Sequence, residues 1–413
     1  MKIFKRISLL LVSLVIWSAF LIYGITDGFL LKSISSDNSS EAFIEATKEK
    51  IDKEFVGNLA LMLIENGQVS NSYFHAVEGD IDENTVFLMA SVSKWVTSWG
   101  VLALVESGKL DLDTSVDYYL TRWHLPESEF DNSKVTVRKL LSHSAGLDDD
   151  LGYDGFGPND YVQTLEESLT NAADGYYDGA MAKVGYVPGS QYMYSGAGYT
   201  LLQLLIEEIS GQSFQNYMTA AIFEPLGMRS STFVPSERTD LDLALFYNQD
   251  GTISEPVTFT ALAAASLYTS ASDLTKFLIA NISQNNVLSQ ATVNQMSKPE
   301  AFINNTPIYG LGPHLYSQGE GGSNIIGHDG SGGTPMINSA ARIDLVSKNG
   351  IIIMEMGSPN LASNMADEWL FESAGISDFV VITRNKNHII TIFIIGALFI
   401  LTAAFVIIRR TKS

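Results

Sequence analysis

The sequence predicts an α+β fold in which an antiparallel sheet is flanked by helices, with a mainly helical second lobe and a transmembrane helix at each end. Two observations lead to this prediction. Strand-like runs occur at both ends of the central region and helical patterns occupy its middle, which is typical of an α+β domain. Uncharged segments of about 20 residues occupy both ends of the chain, the length that a helix needs to cross a bilayer.

The two uncharged segments are predicted to anchor the chain in the cell membrane. Residues 7–26 follow three basic residues, and residues 389–408 precede three more. Since basic flanks stay in the cytoplasm, both termini are expected inside and the central region outside. A cleaved signal peptide is the alternative for the first segment, but no small-residue cleavage motif follows it, so an uncleaved anchor is favoured. A buried core helix is the alternative for the second segment.

The rest of the chain is predicted to form one folded domain outside the cell, on a short spacer. The serine-rich stretch KSISSDNSSE is typical of a flexible linker. The complete assignment is a signal anchor at 1–26, a polar spacer at 27–41, an extracytoplasmic domain at 42–380, a membrane helix at 389–408 and a basic cytoplasmic tail at 409–413.

Composition excludes several classes of function. The chain has 413 residues, 46% of them hydrophobic, so it can bury a sizeable core. Its formal net charge of −21 and the lack of a basic cluster argue against a nucleic-acid partner. The absence of cysteine excludes disulfides, thiolate metal sites and a thiol nucleophile. The histidines are scattered, so neither a metal nor another cofactor is expected.

Local signals place the first elements of the folded domain. Asn66-Gly67 between two β-type runs predicts a hairpin. Residues 91–107 are predicted to form a helix that ends at Gly108. Thr136 is predicted to begin a second helix that ends at Gly146.

Further helices and a final strand pair are predicted along the rest of the domain. The helical patterns cover 161–171, 197–210, 213–223 and 273–281, the last capped by Ser272 or Asp273. The stretches NSAARIDLV and GIIIMEMG are expected to pair through a turn around residues 348–350, and a helix at 361–374 completes the domain.

Ser91 and Lys94 form the first candidate catalytic pair. A helix N-terminus favours negative charge, and a residue three places along lies over the same face. The Lys94 nitrogen can take the serine proton or tune a neighbouring base, which is why the S-x-x-K pattern occurs in acyl-transfer enzymes. The alternative is structural, with Lys94 extending from a buried helix to water and Ser91 acting as a simple N-cap.

Two further stretches carry candidate residues. Tyr194 lies in PGSQYMYSGAGYTLL just before a long predicted helix. A phenol acts as a general base only where cations lower its pKa, and the alternative for Tyr194 is a core aromatic. His328 in IIGHDGSGGTP precedes a glycine-rich turn whose backbone N–H groups can approach a ligand. The alternative for His328 is a loop histidine in a hairpin connection.

Seven stretches in order resemble the serine β-lactamase and penicillin-binding-protein-like hydrolases, in particular the branch related to class C β-lactamases. The resemblance covers roughly residues 45–375 and implies a β-lactamase/transpeptidase-like fold and a serine-hydrolase domain. The stretches are MASVSKWVTSWGVLALVESGKLDLDTSV, TVRKLLSHSAGL, PGSQYMYSGAGYTLL, IFEPLGM, SLYTSASDLTKFL, YGLG and GHDGSGG.

The resemblance implies a role for each catalytic candidate. Ser91 would be the nucleophile, Lys94 the lysine that tunes it, and Tyr194 the phenolic base or proton shuttle. His328 would take the place of the family's basic residue on the sheet edge. Because these basic groups lie together, Lys94, Tyr194 and His328 would titrate as a coupled set.

The resemblance also implies binding positions. The backbone N–H groups of Ser91 and Ser331 would form the oxyanion hole. Gly196 and Gly330 would lie at substrate-binding positions, with Gly330 keeping the surface open. His143, in the LLSHSAGL stretch, is expected to be structural and to hydrogen-bond local backbone.

Two departures from the family pattern bear on the substrate. Gly196 stands where the family commonly has an asparagine, which removes a group that both donates and accepts hydrogen bonds. His328 stands where β-lactamases usually carry lysine, so a substrate carboxylate would be held less firmly. Both departures favour an esterase or a D-amino-acid peptidase-like hydrolase over an efficient β-lactamase.

The sequence therefore predicts a membrane-tethered extracytoplasmic serine hydrolase that cleaves an ester or amide through an acyl-enzyme on Ser91. Its expected partners are the lipid bilayer and a small-molecule or peptide substrate of the cell envelope. The first alternative is a catalytically weak penicillin-binding or envelope sensor protein that uses the same pocket. A purely structural membrane protein is the other alternative, and it explains none of the motifs.

Overall fold

The computed structural model describes residues 2–37, 39–53, 57–148, 152–177, 179–317 and 324–410. Within these residues the chain forms two compact units. The smaller unit comprises the residues up to Ala46 and those from Asp367 onward, and the larger unit runs from Thr47 to Ala366. The larger unit is thus inserted in sequence between the two halves of the smaller one.

An antiparallel sheet of eight strands frames the larger unit, accompanied by two pairs of short strands. The strands are β1 Asn58–Glu65, β2 Gln68–His75, β3 Val86–Leu88, β4 Phe246–Tyr247, β5 Ile253–Ser254, β6 Tyr268–Ser270, β7 Ala301–Ile303, β8 Thr306–Tyr309, β9 His314–Leu315, β10 Ile325–Gly332, β11 Ile337–Asp344 and β12 Gly350–Met356. The large sheet has the order β2-β1-β12-β11-β10-β9-β8-β7, while β3 pairs with β6 and β4 with β5.

The predicted sharing of one sheet by the first and last strands is confirmed. Strand β1 pairs antiparallel with β12 so that Asn58 lies opposite Met356. The predicted hairpin between β1 and β2 is confirmed as well, with φ +52° at Asn66 and +79° at Gly67. Positive φ at both central residues is the geometry that the Asn-Gly pair favours. The predicted turn between β11 and β12 is also present, with φ +62° at Lys348.

Most of the helices lie between β2 and β7 in the chain. The α-helices are α1 Lys2–Thr26, α2 Ser40–Ile51, α3 Val92–Glu106, α4 Val137–Leu141, α5 Leu165–Thr170, α6 Gly196–Ser210, α7 Phe214–Met218, α8 Glu224–Leu226, α9 Leu262–Ala265, α10 Ala271–Ile282, α11 Gln290–Met296, α12 Leu361–Ala374, α13 Phe379–Arg384 and α14 Lys386–Arg410. A π-helical turn, Thr219–Phe223, continues α7 into α8.

Four predicted elements differ from the structure. Helix α5 begins at Leu165, after its N-cap Thr164, instead of at residue 161. Helix α4 begins after Thr136 as expected but ends at Leu141, because the chain turns at His143 with φ +56°. Helix α10 is capped by Ser270, whose side chain accepts from the backbone N–H of Asp273. The turn after His328 begins later than predicted, because β10 continues to Gly332 paired with β11, and the turn lies at residues 333–336.

Helix α3 is held in the core on almost every face. Trp95 and Trp99 are fully buried, and their rings lie 5.1 and 5.2 Å from the ring of Phe277 in α10. Buried aromatic pairs at this distance contribute about 0.5–1.5 kcal/mol each beyond the burial of their area. The residues at the start of α3 are therefore fixed by rigid packing.

The smaller unit contains two helices that are long and apolar enough to cross a membrane. By length and composition these candidate spans are Ile7–Thr26 in α1 and Lys386–Ile407 in α14, with mean hydropathies of 2.3 and 2.8. The Trp17 indole donates to the carbonyl of Phe393 and lies where a side chain on Gly396 would be. The two helices therefore pack together in this unit.

Part of the predicted spacer is hydrogen-bonded to the rest of the smaller unit. The backbone N–H of Lys32 donates to Asn385, and Ser35 donates from both its backbone and its hydroxyl to Glu372. Of the predicted basic tail, residues 411–413 lie outside the described residues.

Candidate active site

Ser91 lies at the turn between β3 and α3. Its backbone is already helical, and its side chain makes no capping hydrogen bond. The preceding Ala90 takes φ +45°, which is uncommon for a residue that has a side chain. This turn brings Ser91 to the start of the helix. Ser91 therefore occupies the N-cap position of α3, but among the described residues its hydroxyl makes no capping bond and is available for other contacts.

Lys94 lies one helical turn after Ser91 and points at its hydroxyl. Only 3% of Lys94 is exposed. Its Nζ donates to Ser91 Oγ at 3.1 Å and to the carbonyl of Ala264 at 2.8 Å. Nζ also lies 4.9 Å from the centre of the Tyr194 ring, a distance at which an ammonium is attracted to an aromatic face. The interpretation in which Lys94 extends to water is therefore wrong.

Tyr194 completes a contact set with Ser91 and Lys94. Burial raises the pKa of Tyr194 above its usual range, and the Ser91 side chain opposes this only in part. Tyr194 is thus a neutral phenol in this arrangement. A neutral phenol suits the passing of a proton between neighbours better than the role of a ready-made base.

His143 holds the loop that carries Tyr194. Its Nδ1 accepts from the backbone N–H of Ser195 at 3.0 Å, across 52 residues of chain. Its ring centre lies 4.3 Å from that of Tyr194. Burial, followed by the charges of Lys94 and His314, lowers the pKa of His143 well below its usual value. The imidazole is therefore neutral, and it contacts backbone as expected, although not in its own loop.

His328 is closed off from solvent and substrate. It is 1% exposed, its Nδ1 donates to the carbonyl of Asp329 at 2.6 Å, and its Nε2 lies 2.9 Å from the hydroxyl of Tyr309. Burial, together with His314 and Lys94, lowers its pKa well below the usual value. A neutral imidazole with both nitrogens engaged cannot present a positive charge to a substrate carboxylate.

Strand β10 passes directly beside the backbone of Ser91. A side chain on Gly330 would begin 2.2 Å from the carbonyl oxygen of Met89 and 3.1 Å from the nitrogen of Ser91. The hydroxyl of Ser339 on the neighbouring strand donates to the same Met89 carbonyl at 2.9 Å. Only glycine therefore permits this close approach, which brings Ser331 and Ser91 to the same cavity.

A small cavity opens at Ser91. Its volume is about 40 Å³, room for a few water molecules. Gly196 is buried as the first residue of α6 and is not among the residues that line this cavity; Tyr194 and His328 do not line it either. Among the described residues, no group of three or more histidines, aspartates and glutamates is placed to hold a metal ion.

The residues on one side of this cavity were not predicted from the sequence. The lining residues include Asp154 and three aromatic residues, Tyr153, Tyr176 and Phe259. No motif marks these positions, since they come from segments about 100 residues apart in the chain. Asp174 lies next to this wall, and the backbone N–H of Asp154 donates to its carbonyl at 2.8 Å.

Asp174 is expected to make stability depend on pH. It is 6% exposed, and within the described ranges neither carboxylate oxygen has a hydrogen-bond partner. Burial, with a contribution from the charge of Asp154, raises its pKa from 3.8 to about 6. A raised carboxyl pKa means that the folded state binds the proton more tightly than the unfolded chain. The cost of ionisation is therefore absent below about pH 4 and complete above about pH 7, where it reaches about 3 kcal/mol.

We expect Asp174→Asn to remove this dependence. Urea unfolding of the full-length protein in detergent, measured from pH 4 to pH 8, should show the wild type losing about 3 kcal/mol relative to the variant. Glu127→Gln, at an exposed position, is the matched control and should follow the wild type. Equal pH profiles for wild type and Asp174→Asn would show that Asp174 is not the group responsible.

Comparison with known proteins places this arrangement among related folds. The family model named Beta-lactamase matches residues 44–370. Penicillin-binding protein 4* of Bacillus subtilis is 34% identical over 153 residues, which are 36% of this chain and 30% of that protein. The chain spans less than half the length of the curated relatives that it matches first.

Solved structures share the fold over most of the chain. The octameric penicillin-binding protein homologue from Pyrococcus abyssi is 27% identical, with a TM-score of 0.69 over 83% of this chain and 80% of that one. The D-amino acid amidase of Ochrobactrum anthropi SV3 is 22% identical, with a TM-score of 0.61 over 84% of this chain and 98% of that one. The second likeness establishes a shared fold alone.

Proposed function

The chain belongs to the Beta-lactamase family, and from this we propose that it is a serine hydrolase that cleaves an ester or amide through an acyl-enzyme on Ser91. The observation that carries the proposal is the 3.1 Å hydrogen bond from Lys94 Nζ to Ser91 Oγ. It lies at the rigid start of a buried helix, with the hydroxyl open to a cavity. A serine becomes a nucleophile when a neighbouring group can take its proton.

The proposed reaction has two steps. Ser91 Oγ attacks the carbonyl carbon while its proton passes to Lys94, which accepts it as the neutral amine, or by way of the Tyr194 phenol. The backbone N–H groups of Ser91 and Ser331 hold the oxyanion, and each such donor contributes about 2.7–4 kcal/mol of transition-state stabilisation. The leaving group departs with the proton. Water then attacks the acyl-enzyme, Oγ regains a proton, and the acid is released.

Two features favour an esterase or peptidase-like activity over an efficient β-lactamase. The neutral, enclosed His328 offers no cation for the carboxylate that β-lactams carry, and Gly196 offers no amide to their side chain. A substrate that has neither this carboxylate nor this side chain needs neither a cation at His328 nor an amide at Gly196. We therefore propose simple esters and amides, including D-amino-acid derivatives, as the substrate class.

We also propose that α1 and α14 tether the protein to the membrane with both termini in the cytoplasm and residues 42–380 outside. The apolar spans and the basic residues at their terminal ends support this topology. Because the chain has no cysteine, single cysteines can report it cleanly. Glu127→Cys should react with a membrane-impermeant maleimide on intact cells, and Lys412→Cys should react only after lysis. The reverse pattern would contradict this orientation.

The decisive experiment for the proposed activity is intact-mass analysis of the full-length protein in detergent. It is treated separately with a fluorophosphonate and with a penicillin. We expect one fluorophosphonate adduct on Ser91 and slow or no addition of penicillin. A stable penicillin adduct without ester turnover would instead support the penicillin-binding or sensor alternative. No adduct with either reagent on folded protein would contradict an activated serine.

A further inference from the structure

One wall of the Ser91 cavity combines a carboxylate with aromatic rings. Asp154 lines the cavity together with Ser91 and Lys94. Asp154 is exposed, and within the described part of the chain no hydrogen bond or ion pair reaches its carboxylate. Asp154 therefore brings a carboxylate without a bonded partner among the described residues to the cavity that contains the proposed nucleophile.

A second carboxylate lies behind the first. Only 6% of Asp174 is exposed, and neither of its carboxylate oxygens has a hydrogen-bond partner among the residues that the structure describes. It is joined to Asp154 through the backbone hydrogen bond of 2.8 Å. Two carboxylates side by side repel each other, and desolvation adds to the cost for the buried one. A bound cation would relieve both costs.

The surrounding rings suit an organic cation. Tyr153, Tyr176 and Phe259 line the same cavity as Asp154. The Tyr153 hydroxyl is fixed by a 2.8 Å hydrogen bond with Thr200, so this ring is held in place. Aromatic faces attract ammonium groups, and a carboxylate beside them adds a charge-assisted hydrogen bond. The wall has the chemistry of a site for a primary ammonium.

The position of the cavity indicates which part of a substrate would enter it. Ser331 lines the cavity beside Ser91, whereas Tyr194 does not. In the proposed reaction Tyr194 relays the proton that the leaving group takes up. Since the cavity borders Ser91 and Ser331 but not Tyr194, we assign the acyl part of the substrate to it.

We propose that Asp154, with Asp174 behind it, selects substrates whose acyl part carries a primary ammonium, such as aminoacyl esters, aminoacyl amides and peptides with a free amino group. This inference rests on the proposed serine-hydrolase function and narrows it. It makes Asp154 a specificity-determining residue and Asp174 a positioning residue, neither of which takes part in bond making.

The test compares two p-nitrophenyl esters of nearly equal shape. The alanyl ester, in both enantiomers, carries an ammonium where the isobutyryl ester carries a methyl group. Full-length protein in detergent is used, and spontaneous hydrolysis is subtracted. Because an α-ammonium also activates the carbonyl, kcat/KM for each ester is divided by its rate of spontaneous hydrolysis. We expect this ratio for an alanyl ester to exceed that for the isobutyryl ester by about 10-fold or more, since a hydrogen bond to a charged group has this effect.

The variants separate selectivity from general damage. Asp154→Asn should lower kcat/KM for the alanyl ester about 10-fold and leave the isobutyryl ester unchanged. Asp174→Asn should act in the same direction and less strongly, while Glu127→Gln should change neither. If Asp154→Asn lowers both esters equally, or leaves their ratio as in the wild type, the inference is wrong.

The result also distinguishes this inference from the function on which it rests. Turnover of the isobutyryl ester with no preference for the alanyl ester would overturn the ammonium site and leave the serine hydrolase standing. Turnover of neither ester, together with no fluorophosphonate adduct, would overturn both.

Discussion

Replacing Ser91 with alanine is expected to abolish the acyl-enzyme and to lower kcat/KM for an activated ester by about 10⁴-fold or more, the range seen when the nucleophile of a covalent mechanism is removed. The physical reason is direct. Ser91 Oγ is the atom that Lys94 Nζ contacts at 3.1 Å, and it opens to the cavity. Intact mass after fluorophosphonate treatment and stopped-flow ester hydrolysis would measure the two effects.

Ser93 supplies the matched control for Ser91. Its hydroxyl is buried, donates to the carbonyl of Ala90 and accepts from the backbone N–H of Leu267 at 2.8 Å. Ser93→Ala leaves that buried N–H without a partner, so we expect a loss of about 1–3 kcal/mol of stability with the fluorophosphonate adduct retained. Ser91→Ala should keep its stability and lose the adduct. An undiminished adduct in Ser91→Ala would contradict the proposed mechanism.

Replacing Lys94 with methionine is expected to lower the rate of acylation by about 10³-fold, within the usual contribution of general acid–base catalysis. Methionine has a similar length and suits a buried site, so the fold should persist. What is lost is the nitrogen that contacts both Ser91 Oγ and the Ala264 carbonyl. The rate of fluorophosphonate addition, followed by mass over time, measures the change. Acylation at the wild-type rate would show that Lys94 does not activate Ser91.

Lys94→Arg distinguishes the two ways in which the lysine can act. Arginine keeps a positive charge but does not release its proton in proteins. If Lys94 receives the serine proton, the arginine variant should be as slow as the methionine variant. If it acts only through its charge on Ser91 and Tyr194, the arginine variant should recover part of the rate.

The elements predicted correctly are those with strong local signals. The hairpin at Asn66-Gly67 and the helix that ends before Gly108 depend on conformations that those residues favour whatever the rest of the chain does. The contact between Ser91 and Lys94 was predictable for the same reason, because helical spacing alone places the two on one face.

The features that were missed depend on distant parts of the chain. Glycines are rare inside strands, so the sequence after His328 predicts a turn. The residues up to Gly332 form a strand because β11 pairs with them. The enclosure of His328 depends on Tyr309, 19 residues away, and no spacing rule indicates that contact. Asp154 meets Ser91 only because the fold brings separate segments to one cavity, so its sequence context carries no signal.

The packing of Trp17 on α14 has a consequence for the order in which the protein is made. Its hydrogen-bond partner, Phe393, lies 376 residues further along the chain. At about 5–20 residues per second, ribosomes need about 20–75 s to synthesise that interval. The whole larger unit leaves the ribosome before α14 does. Until then α1 lacks its helical partner, and the face of α1 that carries Trp17 can contact other helices. The contact between α1 and α14 can therefore form only after the larger unit has been synthesised.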